Sequence, residues 1–263
     1  MSPESPVNSV DVCVHATGRY IEYARLLAPT IDRFLFPSAQ LRLVLFTDQI
    51  EAVEEWPRLE RTEIVPVAIQ HRSWPDSTLL RFSDYSEHRE QLHSEIVVFL
   101  DADMELRAEV GPELSPSTWQ RGIALVLHPG FFDPPGAPSR SIFRRARNLL
   151  TPRGSWESST ASLAYIPEAQ RVRYVCGGVW MGHRQQAVDL CELLARRIDQ
   201  DADAGVLAVW HDESHLNWWA ANHESEILVP EYCYAEGYEN LTHLTARIVA
   251  IEKPTDFVVG VKG

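Results

Sequence analysis

The sequence holds no run of eighteen apolar residues, which excludes an apolar transmembrane helix. Its first nine residues are polar and lack the basic start and apolar middle of a secretion signal, so the expected location is cytoplasmic. Basic residues are in short supply: 24 Lys and Arg stand against 37 Asp and Glu, a formal net charge of −13. A phosphate backbone demands Lys and Arg, so nucleic acid is excluded as the main partner. The exception is local, with Arg140, Arg144, Arg145, Arg147 and Arg153 in one short stretch. Cysteine is scarce as well. Cys13, Cys176, Cys191 and Cys233 form no CxxC pair, which leaves no disulfide framework or zinc ribbon and predicts reduced thiols. There is no internal repeat. What remains is 263 residues of 45% hydrophobic and 23% charged composition. That suits a single domain over 1–263 and leaves little room for disorder.

Apolar periodicity alternates strands with helices. Segments 10–14, 41–46, 63–69, 95–100 and 123–127 read as strands. Segment 19–35 reads as a helix with Pro29 as a kink or break, and 76–92 as another. Further on, 174–181 resumes regular structure. A helix then carries Ala187, Leu190, Cys191, Leu194, Ala195 and Ile198 on one face. A last helix starts near Asp212 and runs toward His223, and the chain after Pro230 reads as irregular. The alternation predicts an α/β fold with a mixed, mostly parallel sheet flanked by helices. Ligands of such sheets bind beyond the carboxyl ends of the strands, where Thr17, Asp101 and His128 fall. Segment 133–155, rich in Pro, Gly and Arg, interrupts the pattern and reads as a mobile insertion.

Two clusters could carry chemistry. Asp101 and Asp103 follow an apolar strand with one residue between them. Paired carboxylates can share a hard cation such as Mg2+ or Mn2+ and leave positions open for phosphate oxygens. A polar turn after a strand explains the same pair equally well. A phosphatase with an Asp nucleophile is disfavoured by Glu105, which stands where such enzymes usually carry Thr or Val. The second cluster is Trp210-His211-Asp212-Glu213-Ser214-His215-Leu216-Asn217. It admits three readings: a helix start capped by Asp212, a zinc site from His211 and His215 four apart, or a carboxylate, Glu213, facing a reacting sugar carbon.

Taken in order, these and other segments resemble the ABO blood-group and α-1,3-galactosyltransferase family of retaining glycosyltransferases. The resemblance runs from about residue 11 to about 254. It rests on His15-Ala16-Thr17-Gly18-Arg19-Tyr20-Ile21-Glu22, on Trp74-Pro75-Asp76 with Arg81, and on Phe99-Leu100-Asp101-Ala102-Asp103-Met104-Glu105. His128-Pro129-Gly130-Phe131, Ala164-Tyr165-Ile166-Pro167, Gly177-Gly178, the eight-residue block from Trp210, and Pro230-Glu231-Tyr232 follow. The resemblance implies a GT-A-type nucleotide-sugar-binding fold, with a UDP-binding half at about 9–107 and an acceptor-binding and catalytic half at about 120–254. It implies a UDP-sugar donor, with Tyr20 stacked on uracil and His15, Ala16 and Thr17 around the base. Asp101 and Asp103, flanking Ala102, would hold Mn2+ or Mg2+ against the diphosphate. Arg81 would touch the donor sugar and orient Asp101, and Asp212 would hydrogen-bond the donor. His128 and Trp210 would contact a galactose-containing oligosaccharide or glycolipid acceptor. Glu213 would lie at the donor anomeric carbon and against the acceptor. Cys176, Gly177 and Gly178 would line the pocket at carbon two of the donor sugar. There the small Gly178 favours UDP-GalNAc over UDP-Gal, unless it is glycine for the backbone alone.

The sequence also departs from that pattern. Animal members carry an N-terminal membrane anchor and stem, whereas this sequence begins near the catalytic core, as bacterial-type soluble members do. Trp156-Glu157-Ser158-Ser159 replaces a Tyr-Glu-Arg-Arg run, and Cys176 departs from common members. The insertion at 133–155 is a solvated loop, a lid, or a basic patch for peripheral contact with the inner face of the membrane. Lys253 and Lys262 are candidates to meet the diphosphate. Two readings compete with the transferase, a zinc hydrolase built on His211 and His215 and a sugar-binding module without catalysis. Some bacterial members carry Asn in place of both metal-site Asp residues and work without metal. With Asp101 and Asp103 in place, EDTA is expected to abolish sugar transfer and added Mn2+ to restore it; an unchanged rate would contradict metal dependence.

Overall fold

Two apolar, β-branched runs, Ser9–His15 (β1) and Ile96–Asp101 (β4), lie side by side in the middle of the main sheet. Each is apolar on both faces because both are covered. Val10, Val12 and Val14 of β1 and Ile96, Val98 and Leu100 of β4 face one core, while Cys13, Val97 and Phe99 face the other. That is the two-residue period of a strand. The computed structural model describes residues 7–111, 113–132 and 154–253. Segment 133–153, with the five clustered arginines, and segment 254–263, with Lys262, lie outside the described residues. The proposed insertion is therefore described only at Gly154 and Ser155.

The remaining strands of the main sheet are Gln40–Thr47 (β2), Thr62–Ala68 (β3), Ile123–Leu127 (β6), Val175–His183 (β7) and Glu226–Leu228 (β8). Their order is β3-β2-β1-β4-β7-β6-β8. Every neighbouring pair is parallel except the two made by β7, which runs antiparallel to β4 and β6. The α/β, mostly parallel sheet read from the sequence is thus the fold observed. Pro66 lies in β3, an edge strand, where its missing donor is tolerated.

The topology fixes where a ligand belongs. After β1 the chain adds β2 and β3 on one side, then returns to add β4 on the other. Open α/β sheets bind ligands at such a reversal, beyond the carboxyl ends of the strands. His15 pairs with Asp101 at that point. Because β7 runs backwards, its first residues reach the edge where β4 and β6 end. At the opposite end the buried Asp11 carboxylate accepts from Arg42 at 2.9 Å, Ser94 N–H at 2.8 Å and His93 N–H at 2.5 Å, tying β1 to β2 and to the entry of β4.

Three expectations are corrected. The helix Tyr20–Phe34 runs unbroken through Pro29, because Leu27, Ala28 and Ile31 are buried against the sheet and hold it across the missing donor. The helix expected over 76–92 is two short helices, Asp76–Leu79 and Arg81–Glu87, and a 3-10 turn, Arg89–Gln91. Leu80, at φ −93° and ψ 7°, leaves helical geometry and makes Arg81 the first residue of a new helix. The chain beyond Pro230 is not wholly irregular. Tyr234–Ala235 (β9) and Ile248–Ala250 (β10) join Met104–Leu106 (β5) in a second sheet of order β5-β10-β9. Strands this short show no readable period. The Ile251 N–H then donates to the Asp103 carbonyl at 2.9 Å, which brings Lys253 to the end of β4.

Candidate active site

Arg81 sits where a cation needs partners. It opens a helix, at the positive end of the helix dipole, and its side chain is only 14% exposed. Two carboxylates answer it. One guanidinium nitrogen donates to Asp101 at the end of β4. Another donates to Asp212, whose Oδ2 also accepts from Nε at 3.1 Å. Burial works against the charge, yet Asp101 and Asp212 together push the Arg81 pKa above the ordinary arginine range.

Asp212 lies in the first turn of the helix His211–Asn222, and two readings of that block fall with its geometry. Asp212 is not the cap. Trp210 holds the cap position, its N–H donates to Ser214 Oγ at 3.0 Å, and Asp212 is committed to Arg81. The zinc pair is not formed either. The His211 ring lies edge-on to Trp74, with centroids 4.9 Å apart, while His215 is buried with Nε2 3.5 Å from Asp201. Burial pulls the His215 pKa down to about 4, so that ring is neutral. Among the described residues no three His, Cys, Asp or Glu side chains group to cage a metal.

Glu213 turns toward β7. Its Oε2 accepts the Gly177 N–H at 2.8 Å and its Oε1 the Tyr174 hydroxyl at 2.7 Å. One turn along, Asn217 makes two bonds to the Val175 backbone, each 2.9 Å, and donates to the Glu213 carbonyl, locking the helix to the strand. A Cβ on Gly177 would stand 3.2 Å from Glu213 Cβ. One on Gly178 would stand 2.7 Å from Met104 Cε and 2.9 Å from Asp101 Oδ2. Consecutive residues of one strand thus abut Glu213 and Asp101, and the two carboxylates lie near enough for Asp101 to oppose the ionisation of Glu213. Arg81, Asp101, Gly177 and Asp212 line a pocket together with Phe82, Tyr85, Phe99, Leu100 and Trp180. A side chain at position 178 would therefore crowd Asp101 and Met104.

Asp103 is nearly covered, and burial first, then Asp101, raises its carboxyl above the usual range. Lys253 answers it at 2.6 Å, and the same ammonium lies 3.1 Å from the Tyr20 hydroxyl and 5.0 Å from the centre of that ring. The metal-pair candidate and the aromatic platform candidate are thus neighbours. His15 Nε2 is 2.9 Å from Asp84, which also accepts from Arg72 at 2.5 Å. Ala16, Thr17 and Ala102 are buried around these strand ends. Cys176 is buried in the core and turns its thiol toward the Val179 carbonyl, 3.8 Å away, not toward the crevice. On the far side His128 accepts the Gly130 N–H on Nδ1 at 3.1 Å and packs against Phe131 and Tyr174. Burial pulls its pKa down to about 4. Trp210 is half exposed.

The sequence pattern of glycosyltransferase family 6 matches residues 6–259. This chain belongs to that family. Family 6 membership agrees with the GT-A-type arrangement of the sheet. Among its relatives, histo-blood group ABO system transferase 1 of Rattus norvegicus is 27% identical over 231 residues, covering 86% of this chain and 61% of the relative. Human globoside alpha-1,3-N-acetylgalactosaminyltransferase 1 is 25% identical over 235 residues, covering 87% and 62%. The Escherichia coli O-antigen biosynthesis glycosyltransferase WbnI is 21% identical over 233 residues, covering 88% and 89%. The family 6 chain thus spans a little over three fifths of the two mammalian relatives. No helix among its described residues is long and apolar enough to cross a membrane.

Two side chains of this family 6 site were given no role from sequence. Tyr174 looked like the start of a strand, and Asn217 was one polar residue of an eight-residue block. Their partners lie about forty residues away, so no local pattern marks them. Burial, with Asp212 and Asp101 adding to it, raises the Glu213 pKa to about 7 against the pull of its two donors. Turnover that uses Glu213 as an anion is expected to lose kcat/KM as pH falls below about 7. A profile flat down to pH 5 would contradict that ionisation.

Proposed function

We propose that this chain is a retaining α-1,3-hexosyltransferase that moves GalNAc or Gal from a UDP-sugar to a galactose-containing glycan with a divalent cation as cofactor. The observation that carries the reading is the Arg81 bridge, which joins Asp101 at the strand reversal to Asp212 beside Glu213. Asp101 lies near enough to act electrostatically on both Asp103 and the separately held Glu213. The printed names of the relatives, transferases of blood-group, globoside and O-antigen sugars, support the class.

The donor set suits a hard cation. Asp101 and Asp103 present carboxylate oxygens close enough for each to oppose the other's charge. Two protein ligands leave positions for phosphate oxygens. Mn2+ or Mg2+ there would neutralise the diphosphate as it leaves. The protein's own groups do the rest. Tyr20 offers its ring to the uracil, and His15, held by Asp84, lines the base with Ala16 and Thr17. Arg81 and Asp212 fix the donor sugar at the pocket above Gly177. His128, neutral and turned by Gly130, offers Nε2 to the acceptor, with Trp210 as an apolar surface beside it. Glu213, with each oxygen already accepting a hydrogen bond, presents a fixed carboxylate to the anomeric carbon. It serves as a covalent nucleophile, as in retaining glycosidases, or as an anion that stabilises an oxocarbenium-like state. A reducing cytoplasm suits the four buried free thiols.

Glu213→Gln is expected to lower kcat at least about 100-fold with UDP binding retained. Near-normal turnover would remove Glu213 from the chemistry. Parallel assays with UDP-GalNAc and UDP-Gal test the donor: Gly178 predicts preference for UDP-GalNAc, and a clear preference for UDP-Gal would overturn it.

A further inference from the structure

Glu213 is held from two sides, and among the described residues only one of its donors is a side chain. Gly177 belongs to the strand and comes with the fold. Tyr174 reaches Glu213 with a hydroxyl at the end of a ring that is 3% exposed. That ring has little freedom. Trp156 meets it edge-on at 5.0 Å, Phe131 at 5.1 Å and His128 at 5.7 Å between centroids. Its own carbonyl accepts the His128 N–H at 2.9 Å. The same tyrosine thus touches the carboxylate proposed for the anomeric carbon and the histidine proposed for the acceptor. A buried tyrosine needs a partner for its hydroxyl, and here the partner is Glu213.

We propose that Tyr174 is a positioning residue for transfer: caged by Trp156, Phe131 and His128, its hydroxyl fixes the Glu213 carboxylate against Gly177 and ties it to the acceptor wall. This inference rests on the transferase reading. Burial first, and Glu213 second, push the Tyr174 pKa far above the usual phenol range. The hydroxyl therefore stays protonated and donates at every working pH. A hydrogen bond donated to an anion favours the anion. The titratable and charged groups around Glu213 are Asp212 beside it, Asp101 from β4, Tyr174 at the entry to β7, and Cys233 before β9. Asp101 and Asp212, which share the single charge of Arg81, oppose ionisation of Glu213. Among the described residues, Tyr174 is the one side chain that donates to it directly.

The test is Tyr174→Phe, which keeps the ring and removes one oxygen. The KM for UDP-sugar is expected to stay within about twofold, while kcat falls roughly tenfold or more. Loss of the donated bond raises the Glu213 pKa, so the acid limb of the pH profile should move to higher pH. In a Glu213→Gln background the same change should cost less than about twofold, because residues acting as a unit are not additive. Carbon-13 NMR titration of labelled glutamate reads the Glu213 pKa without turnover and should show the same upward move. An unmoved Glu213 titration overturns the inference, whether or not the enzyme turns over. So does an unchanged kcat, or an equal loss in the Glu213→Gln background. Absence of any sugar transfer by the wild-type chain would instead count against the transferase reading, and the two failures are told apart by the titration.

Discussion

A guanidinium taken out of water must be neutralised at once, and Arg81 meets that need by gripping two carboxylates from distant parts of the chain. Removing one partner from such a buried group costs several kcal/mol, about 3–5 in comparable sites. The bridge therefore does more than hold charge. It sets the last residue of β4 against the first turn of the helix His211–Asn222. Asp101 then lies near enough to Glu213 to oppose its ionisation. The break at Leu80 is what makes this possible, since it restarts the helix with Arg81 at its first position.

Charge in the crevice is unbalanced around that bridge. Among the described residues, Asp101, Asp103, Asp212 and Glu213 are answered in direct ion pairs by Arg81 and Lys253 alone. The excess is negative, and burial first, with the neighbouring carboxylates adding to it, raises the pKa of Asp103, Asp212 and Glu213. Under the proposed function a divalent cation would relieve that excess, and the diphosphate would offer anionic partners to Lys253 and Arg81. Lys253 lies between Asp103 and the Tyr20 ring, where on the same proposal a nucleotide and its cation would meet this ammonium. The short sheet formed by β5, β10 and β9 carries it there.

Much of this was legible in the residues and some was not. Strands β1, β2, β4 and β6 announced themselves because continuous apolar runs have few other uses. Asp101, Asp103 and Glu213 were picked out by type and by ordered resemblance, and the fold gathers them. What failed was non-local. Asp212 looked like a cap because caps are local, but its partner is 131 positions away. His211 and His215 looked like a pair because they are four apart, but Trp74 and Asp201 draw them in different directions. At Gly178 a side chain would meet Asp101 and Met104, a close approach that involves residues more than seventy positions away and leaves no local mark. Tyr174 left no mark, since its hydroxyl matters only once a helix forty residues later has docked.

The most direct measurement is a crystal structure of the chain with Mn2+ and an unreactive 2-fluoro analogue of its UDP-sugar. The account predicts the cation between Asp101 and Asp103, uracil against Tyr20, and the anomeric carbon facing a Glu213 carboxylate still bound by Tyr174 and Gly177. A diphosphate seated away from the end of β4, or an anomeric carbon turned from Glu213, would contradict it.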